Sequence, residues 1–278
     1  MSHTGQTTLA GVLGWPVTHS LSPRLHGYWL EQHGIDAAYL PLPVHPDHLP
    51  AAIRGLAALG FRGANVTVPH KQAVLPLCDQ IAPSARRAGA VNTLSFDPAH
   101  GITGSNTDGA GFLAALHDHG VHPTAAPALI IGAGGAARAI ATALLDHGCT
   151  VTVTSRRDPQ AHHLAAQIPG LAVLPWPAWP QLGAFGLLIN ATAGGMTGQP
   201  PLTFDLRPAP PSLVVADIVY APRHTDLLTQ AAAQGLATVE GIDMLLHQAA
   251  ASFSQWFGLT PIVDAKLRDF VLAPPPCA

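Results

Sequence analysis

Charge is scarce in this chain. Asp, Glu, Lys and Arg make up 10% of its 278 residues against 48% apolar ones, and the formal net charge is −3. That balance excludes a disordered polyelectrolyte and gives no electrostatic case for nucleic acid or an acidic membrane surface as partner. Cysteine is rare too: Cys78, Cys149 and Cys277 are odd in number and far apart. They make no disulfide framework and fit reduced thiols in a cytoplasmic protein. Long hydrophobic runs are missing. The most apolar stretch, around residues 125 to 137, is broken by Gly132, Gly134 and Gly135 and stops at Arg138, too short and too Gly-rich for a spanning helix. The opening MSHTGQTTLAGVLGWP has no basic segment followed by an apolar one, so no secretory signal is expected. Lysine is nearly absent. Of 13 basic residues only Lys71 and Lys266 are Lys; the rest are Arg.

Histidine is abundant, at 16 residues, but scattered. The adjacent pair His162-His163 falls in a helical pattern, where neighbouring positions point in different directions. A solvated face is the expectation there, and no metal site.

Along the chain, strand-like and helical runs alternate, which indicates an α/β protein. TLAGVLG (8–14), AAYLPLPV (37–44), GANVTVP (63–69) and VNTLSF (91–96) read as strands, and GITGSN as a Gly-rich turn. Ser22-Pro23 reads as an N-cap with Pro at the first helical position, opening a helix that ends at Gly34. PDHLPAAIRGLAALG reads as a second helix. A helix from Thr107 and a Pro-containing linker lead to a second α/β region, with later strands at TVTVTSRR (150–157), LAVLPW, FGLLINAT and LVVADIV. From Gly241 the chain turns helical again. The expected domains are 1–105 plus 240–278, and 106–239.

ALIIGAGGAARAI places Gly132-Ala133-Gly134-Gly135-Ala136-Ala137 between a buried strand and a helix, a match to G-x-G-x-x-G/A. The first Gly allows the tight turn, the second lets the backbone approach a pyrophosphate, and the small third residue lets helix pack on strand. N–H groups at the helix start then face the phosphates. The context of strand, helix and second strand is what gives this short motif weight. At the end of the next strand an NAD site wants Asp or Glu for the ribose hydroxyls. This chain has Ser155-Arg156-Arg157 there, and Asp158 comes late for that role. Guanidinium groups suit a 2′-phosphate, so NADP is the expected cofactor.

Polar residues gather at the ends of elements in the first third: Ser20, Ser22, Asn65, Thr67, Lys71, Asn92, and Asn106-Thr107-Asp108. Singly, each has an ordinary structural use as cap, turn or strand residue. Together they suit a small hydroxylated ligand without phosphate, with the two serines at a helix start fit to hold a carboxylate.

GWPVTHSLSPRLH, GANVTVPHK, AGAVNT, GSNTDGAGF, IIGAGGAARA, INATAGGM, DIVYAPRHTDLL and GIDMLLHQAAASF occur in that order, from about residue 10 to about 270. With these the chain resembles the shikimate dehydrogenases. The resemblance implies two α/β domains, a substrate-binding one built from both chain ends and a Rossmann-type NADP-binding one, with a cleft where they meet. It implies the NADPH-dependent reduction of 3-dehydroshikimate to shikimate, a step towards the aromatic amino acids. It places Ser20 and Ser22 on the substrate carboxylate with Tyr220 nearby, and Thr67, Asn92, Asp108 and Gln248 on the ring hydroxyls. Lys71 and Asp108 become the catalytic pair. Gly132, Ala133, Gly134, Gly135 and Ala136 cradle the pyrophosphate. Ser155, Arg156 and Arg157 meet the adenosine phosphate, and Ile218, Gly241 and Met244 line the nicotinamide end.

Two departures stand out. The family's His-Asn after SLSP is His26-Gly27 here, and its Asn-Arg-Thr is Ser155-Arg156-Arg157, which adds a positive charge. The rarity of lysine acquires a reason on this reading. The alkoxide left by hydride transfer needs a proton, which a lysine side chain can give and retake and a guanidinium cannot. The expected partners are a small-molecule substrate and, as candidate assembly, a homodimer. The alternatives weighed are an NAD-dependent quinate/shikimate dehydrogenase, a methylenetetrahydrofolate dehydrogenase, and a silent NADP-binding sensor. Arg156-Arg157 speaks against the first, SLSP with NVTVPHK against the second, and intact Lys71 and Asp108 against the third.

Overall fold

The structure is a computed structural model that describes residues 4–177 and 179–274; Cys277 lies outside the described residues. Two compact units result. One ends at Thr107 and resumes at Leu246, and the other runs from Asp108 to Leu245.

The first unit opens with β1 (Thr8–Gly14), α1 (Ser22–Gln32), β2 (Ala37–Pro43), α2 (Leu49–Ala58) and β3 (Gly63–Val66). It continues with β4 (Gln80–Ile81), α3 (Pro83–Ala88), β5 (Thr93–Asp97) and β6 (Gly101–Ser105). The sheet order is β2-β1-β3-β5-β6-β4. β2, β1 and β3 run parallel, and β5 is antiparallel to both β3 and β6. GITGS is thus a strand and not a turn: it pairs with β5 in register from Asp97↔Gly101 to Thr93↔Ser105. Its glycines suit that place because Gly104 packs directly on Cys78 and Val91. Ser22 is likewise the first residue of α1 and not its cap; Leu21 takes the cap position and no side chain closes it. Leu13, Ile53, Leu56, Phe61, Val66, Leu94 and Phe96 form one core of this unit. A second, aromatic cluster gathers His26, Trp29, Tyr39, Phe253 and Trp256.

The second unit holds α4 (Asp108–Asp118), β7 (Ala128–Ile131), α5 (Gly135–Asp146), β8 (Val151–Thr154), α6 (Asp158–Gln167), β9 (Ala172–Val173), β10 (Leu187–Asn190), β11 (Val214–Asp217), α7 (Asp226–Ala233) and β12 (Ala237–Val239). Its sheet has the order β12-β11-β10-β7-β8-β9, and every pairing is parallel. Counted from β7 this is 6-5-4-1-2-3, the doubly wound order of dinucleotide-binding sheets. Both faces are covered, as a parallel sheet requires. Ala128 and Ile130 pack into a core with α4, α5 and α6, whereas Leu129 and Ile131 pack into the other with Leu227 and Leu228 of α7. The chain closes with α8 (Gly241–Phe257) and α9 (Ala265–Leu272).

Candidate active site

In the first unit, Asn65, Thr93 and Ser105 stand in one row across β3, β5 and β6, each facing the next in register. Helix α8 lays Gln248, Ser252 and Gln255 over that row, at spacings that share a helix face. Ser252 Oγ lies 2.9 Å from Asn65 Nδ2 and 2.8 Å from Thr93 Oγ1, and Ser105 Oγ donates to Gln255 Oε1 at 2.8 Å. Trp256, one turn beyond Ser252, donates from its indole N–H to the Leu94 carbonyl at 2.9 Å. The helix sits this close only because residue 63 is glycine: a Cβ there would come within 2.0 Å of the Trp256 ring.

Asn92 follows from this seating. Its Oδ1 accepts from Thr107 N at 2.8 Å and Thr93 Oγ1 at 2.9 Å, and its Nδ2 donates to Gln248 Oε1 at 3.3 Å. Asn92, Thr107, Asp108 and Gln248 are all buried. Lys71 reaches the same neighbourhood through its backbone, whose carbonyl accepts from Val91 N at 2.7 Å. Strand β3 ends at Val66, and Thr67, still bonded to β1 through Leu13 O, begins the loop that sets the half-buried Lys71 beside the Val91-Asn92 corner. Trp15 N donates to Val68 O at 3.1 Å, tying that loop to the segment leading into Ser20 and Ser22. Ser20 Oγ accepts from Ser22 N at 3.3 Å. The unit therefore joins Lys71, Asn92 and Gln248 through bonded neighbours, with Thr67 and the two serines on the adjoining loops. Tyr220 belongs to the second unit.

In the second unit, Gly132 follows β7 with φ +115°, a conformation L side chains rarely adopt, and its N–H donates to Thr154 O at 2.8 Å. A Cβ at Gly132 would meet Thr192 Cγ2 at 2.8 Å and the Ala191 carbonyl at 3.0 Å. Gly134 precedes the first residue of α5 and has open space where its Cβ would be. That opening, above a helix start at the point where strand order reverses, fits a dinucleotide pyrophosphate. Ser155 is buried, and its Oγ accepts from Arg157 N at 3.2 Å, while Arg156 and Arg157 are exposed. Asp158 turns towards Trp176, its Oδ1 accepting from the Trp176 backbone N–H at 3.4 Å. The residues present fit a cofactor with a 2′-phosphate.

Sequence reasoning gave no role to Asn190, Thr192, Asp217 or Thr225, although INATAGGM and DIVYAPRHTDLL stood among the ordered segments. Asp217 ends β11 and accepts from Asn190 Nδ2 and Val219 N, each at 2.9 Å, and from Thr225 Oγ1 at 2.7 Å. Burial raises its pKa to about 6. Asn190 in turn accepts from both the N–H and the hydroxyl of Thr192, the residue against Gly132. Thr192 thus packs beside the glycine turn, and from it a bonded chain runs through Asn190 and Asp217 to the segment bearing Ile218 and Tyr220. The available signal was a polar residue ending each of two apolar strands. Among the described residues no three His, Cys, Asp or Glu side chains are grouped to hold a metal ion, and no helix is long and apolar enough to cross a membrane.

A doubly wound parallel sheet with a glycine turn, joined in one chain to a unit lined with buried amides and hydroxyls, defines a dinucleotide-dependent dehydrogenase of small polar substrates. The profile of the shikimate dehydrogenase substrate binding domain matches residues 12–94, and that of the shikimate 5'-dehydrogenase C-terminal domain matches residues 241–265. The chain is 56% identical to a shikimate dehydrogenase (NADP(+)) of Acidiphilium cryptum, over 97% of this chain and 98% of that one. It is 36% identical, with a TM-score of 0.87, to the Thermus thermophilus shikimate 5-dehydrogenase solved with NADP(H) and shikimate, over 95% and 98% of the two chains. A quinate dehydrogenase of Corynebacterium glutamicum solved with NAD is 30% identical, with a TM-score of 0.87, over 96% and 99%. The chain belongs to the shikimate dehydrogenase family.

Proposed function

We propose that the chain catalyses the NADP-dependent interconversion of shikimate and 3-dehydroshikimate, a step towards the aromatic amino acids. The first unit is then the substrate-binding domain and the second the NADP-binding domain. Ser20 and Ser22, at the start of α1, take the substrate carboxylate together with Tyr220. Thr67, Asn92, Asp108 and Gln248 hold the ring hydroxyls. Gly132 to Ala136 and the start of α5 receive the pyrophosphate, with Ser155, Arg156 and Arg157 at the adenosine phosphate and Ile218, Gly241 and Met244 at the nicotinamide.

NADPH, when bound, supplies the hydride. The chain's own task is to hold the ring and move a proton at the oxygen of the reacting carbon. Lys71 exchanges that proton and Asp108 orients it; a positioned acid contributes on the order of 10²–10⁴-fold in rate. The observation that carries this reading is the bond from Val91 N to the Lys71 carbonyl, which fixes one of the chain's two lysines beside Asn92. Lys71→Arg keeps the charge and removes a usable proton. Its kcat should fall at least about 10²-fold while the KM for NADP stays near the parent value; a near-normal kcat overturns the proton role. Steady-state rates with NADP and NAD, each with shikimate and quinate, test the rest, and a preference for NAD with quinate rejects the assignment. The compartment we infer is the cytoplasm, in keeping with free thiols at Cys78 and Cys149.

A further inference from the structure

Asp217 is a buried carboxylate, 2% exposed, with no part in the proton transfer described above. It ends β11, and residues 218–225 follow as a loop whose last residue, Thr225, caps α7. An ionised carboxylate only accepts, and each of its partners can donate. The Val219 N–H has no other role. The Asn190 amide is oriented by its own oxygen, which accepts from the Thr192 backbone N–H at 3.0 Å, so its Nδ2 faces Asp217 Oδ1 at 2.9 Å. Thr225 Oγ1 accepts from Leu228 N at 3.3 Å and donates to Asp217 Oδ2 at 2.7 Å. One side chain thus gathers the end of β10, the start of the loop and its finish. On its other side the loop is clamped by α8: a Cβ at Gly241 would meet the Ile218 carbonyl carbon at 2.5 Å and the Val219 oxygen at 2.6 Å. Arg223 adds a two-pronged pair with Glu240, the residue before α8, at 2.7 and 3.2 Å. Val219 is buried, and Ile218 and Tyr220 on either side of it are half-buried. The hold on the Val219 N–H therefore sets where those two side chains stand.

We propose that Asp217 is a positioning residue for the nicotinamide half of the cofactor: its carboxylate closes the loop 218–225 and so fixes the place of Ile218. The proposal rests on the reading that Ile218 and Gly241 line the nicotinamide. Asp217 acts through the loop, since its oxygens are buried and taken by Asn190, Val219 and Thr225. A charge in this place is costly, because burial raises the pKa of Asp217 to about 6 in spite of those donors. An apolar side chain of like size would avoid that cost and would leave the loop open.

The test is Asp217→Leu, which removes both oxygens at similar size, set beside Asp217→Asn, which keeps one. That oxygen has to face Asn190 Nδ2 and the Val219 N–H, because the opposite orientation would set donor against donor. In Asp217→Leu the dissociation constant of NADP, measured without turnover, should rise about five- to tenfold. Its kcat with shikimate should fall at least about tenfold, through misplacement of the nicotinamide. The dissociation constant of 2′-phospho-AMP, the adenosine half of the cofactor, should stay within about twofold of the parent, because its expected site at Ser155 to Arg157 lies beyond a different strand. Asp217→Asn should recover most of both losses. Should Asp217→Leu fail to fold, Thr225→Val beside Thr225→Ser repeats the measurement from the other end of the loop. NADP affinity and kcat unchanged in the folded variants overturn the proposal. So does a loss shared equally by NADP and 2′-phospho-AMP, or an Asp217→Asn no better than Asp217→Leu. Parent enzyme that does not turn over shikimate rejects the functional reading instead, and the comparison of NADP with 2′-phospho-AMP still decides the role of Asp217.

Discussion

His26 is fully buried, and among the described residues neither ring nitrogen has a hydrogen-bond partner. Its ring stacks on Tyr39 with centroids 4.0 Å apart and planes 4° from parallel. Burial lowers its pKa from 6.5 to about 3. The folded state therefore keeps His26 neutral between pH 3 and 6.5, where the unfolded chain would protonate it. Its effect on stability is absent above pH 6.5 and grows against folding as pH drops through that window, by up to about 1.4 kcal/mol per pH unit. His26→Phe keeps an aromatic ring on Tyr39 and removes the titration. The expected result is a Tm that falls less than the parent's between pH 7 and pH 5, read by thermal melts across that range. An equal fall would place the pH sensitivity elsewhere.

Among the elements, the turn between β7 and α5 is tightly constrained. Gly132 lies against Thr192 and the Ala191 carbonyl in a backbone conformation suited to glycine. Gly132→Ala should therefore raise the KM for NADP at least about tenfold, through displacement of the pyrophosphate bed, and leave shikimate affinity near the parent value in a binding measurement without cofactor. This turn was legible in the sequence because local chemistry dictates it, and so was β1, whose apolar residues run without a break. Strand β6 was not legible. Its glycines read as a turn until Cys78 and Val91, distant in sequence, are seen against Gly104. Short β4, α3, α7 and β12 lack a period long enough to register. At the site, residues expected to touch ligand could be assigned from motifs, whereas Thr93, Ser252, Asn190 and Asp217 stand out only through the buried hydrogen bonds they make. Their partners lie on elements far along the chain, and no local spacing records that.

At the scale of the molecule, one buried group in each unit answers acid in the opposite sense. Asp217, in the second, has a pKa raised by burial from 3.8 to about 6. The folded state there holds a proton that the unfolded chain has released, so this group favours folding increasingly as pH falls from 6 towards 4. His26, in the first unit, does the reverse over the same range. Hydrogen exchange at pH 5 and pH 7 should show protection lost in β1, β2 and β3 on acidification and held or gained in β10 and β11. Uniform loss across both sheets would refute this division.

The seating of α8 over the row Asn65, Thr93 and Ser105 also sets an order of events. On the ribosome the strands of the first sheet emerge early, but the helix that pairs with their buried polar side chains is made only after every strand of the second unit. The second unit is continuous in sequence and has all its strands before then. Domains of a growing chain fold as they become complete, so the later unit is finished first, and the earlier one waits for Ser252 and Trp256. Gly63 leaves the room that this indole needs when it arrives.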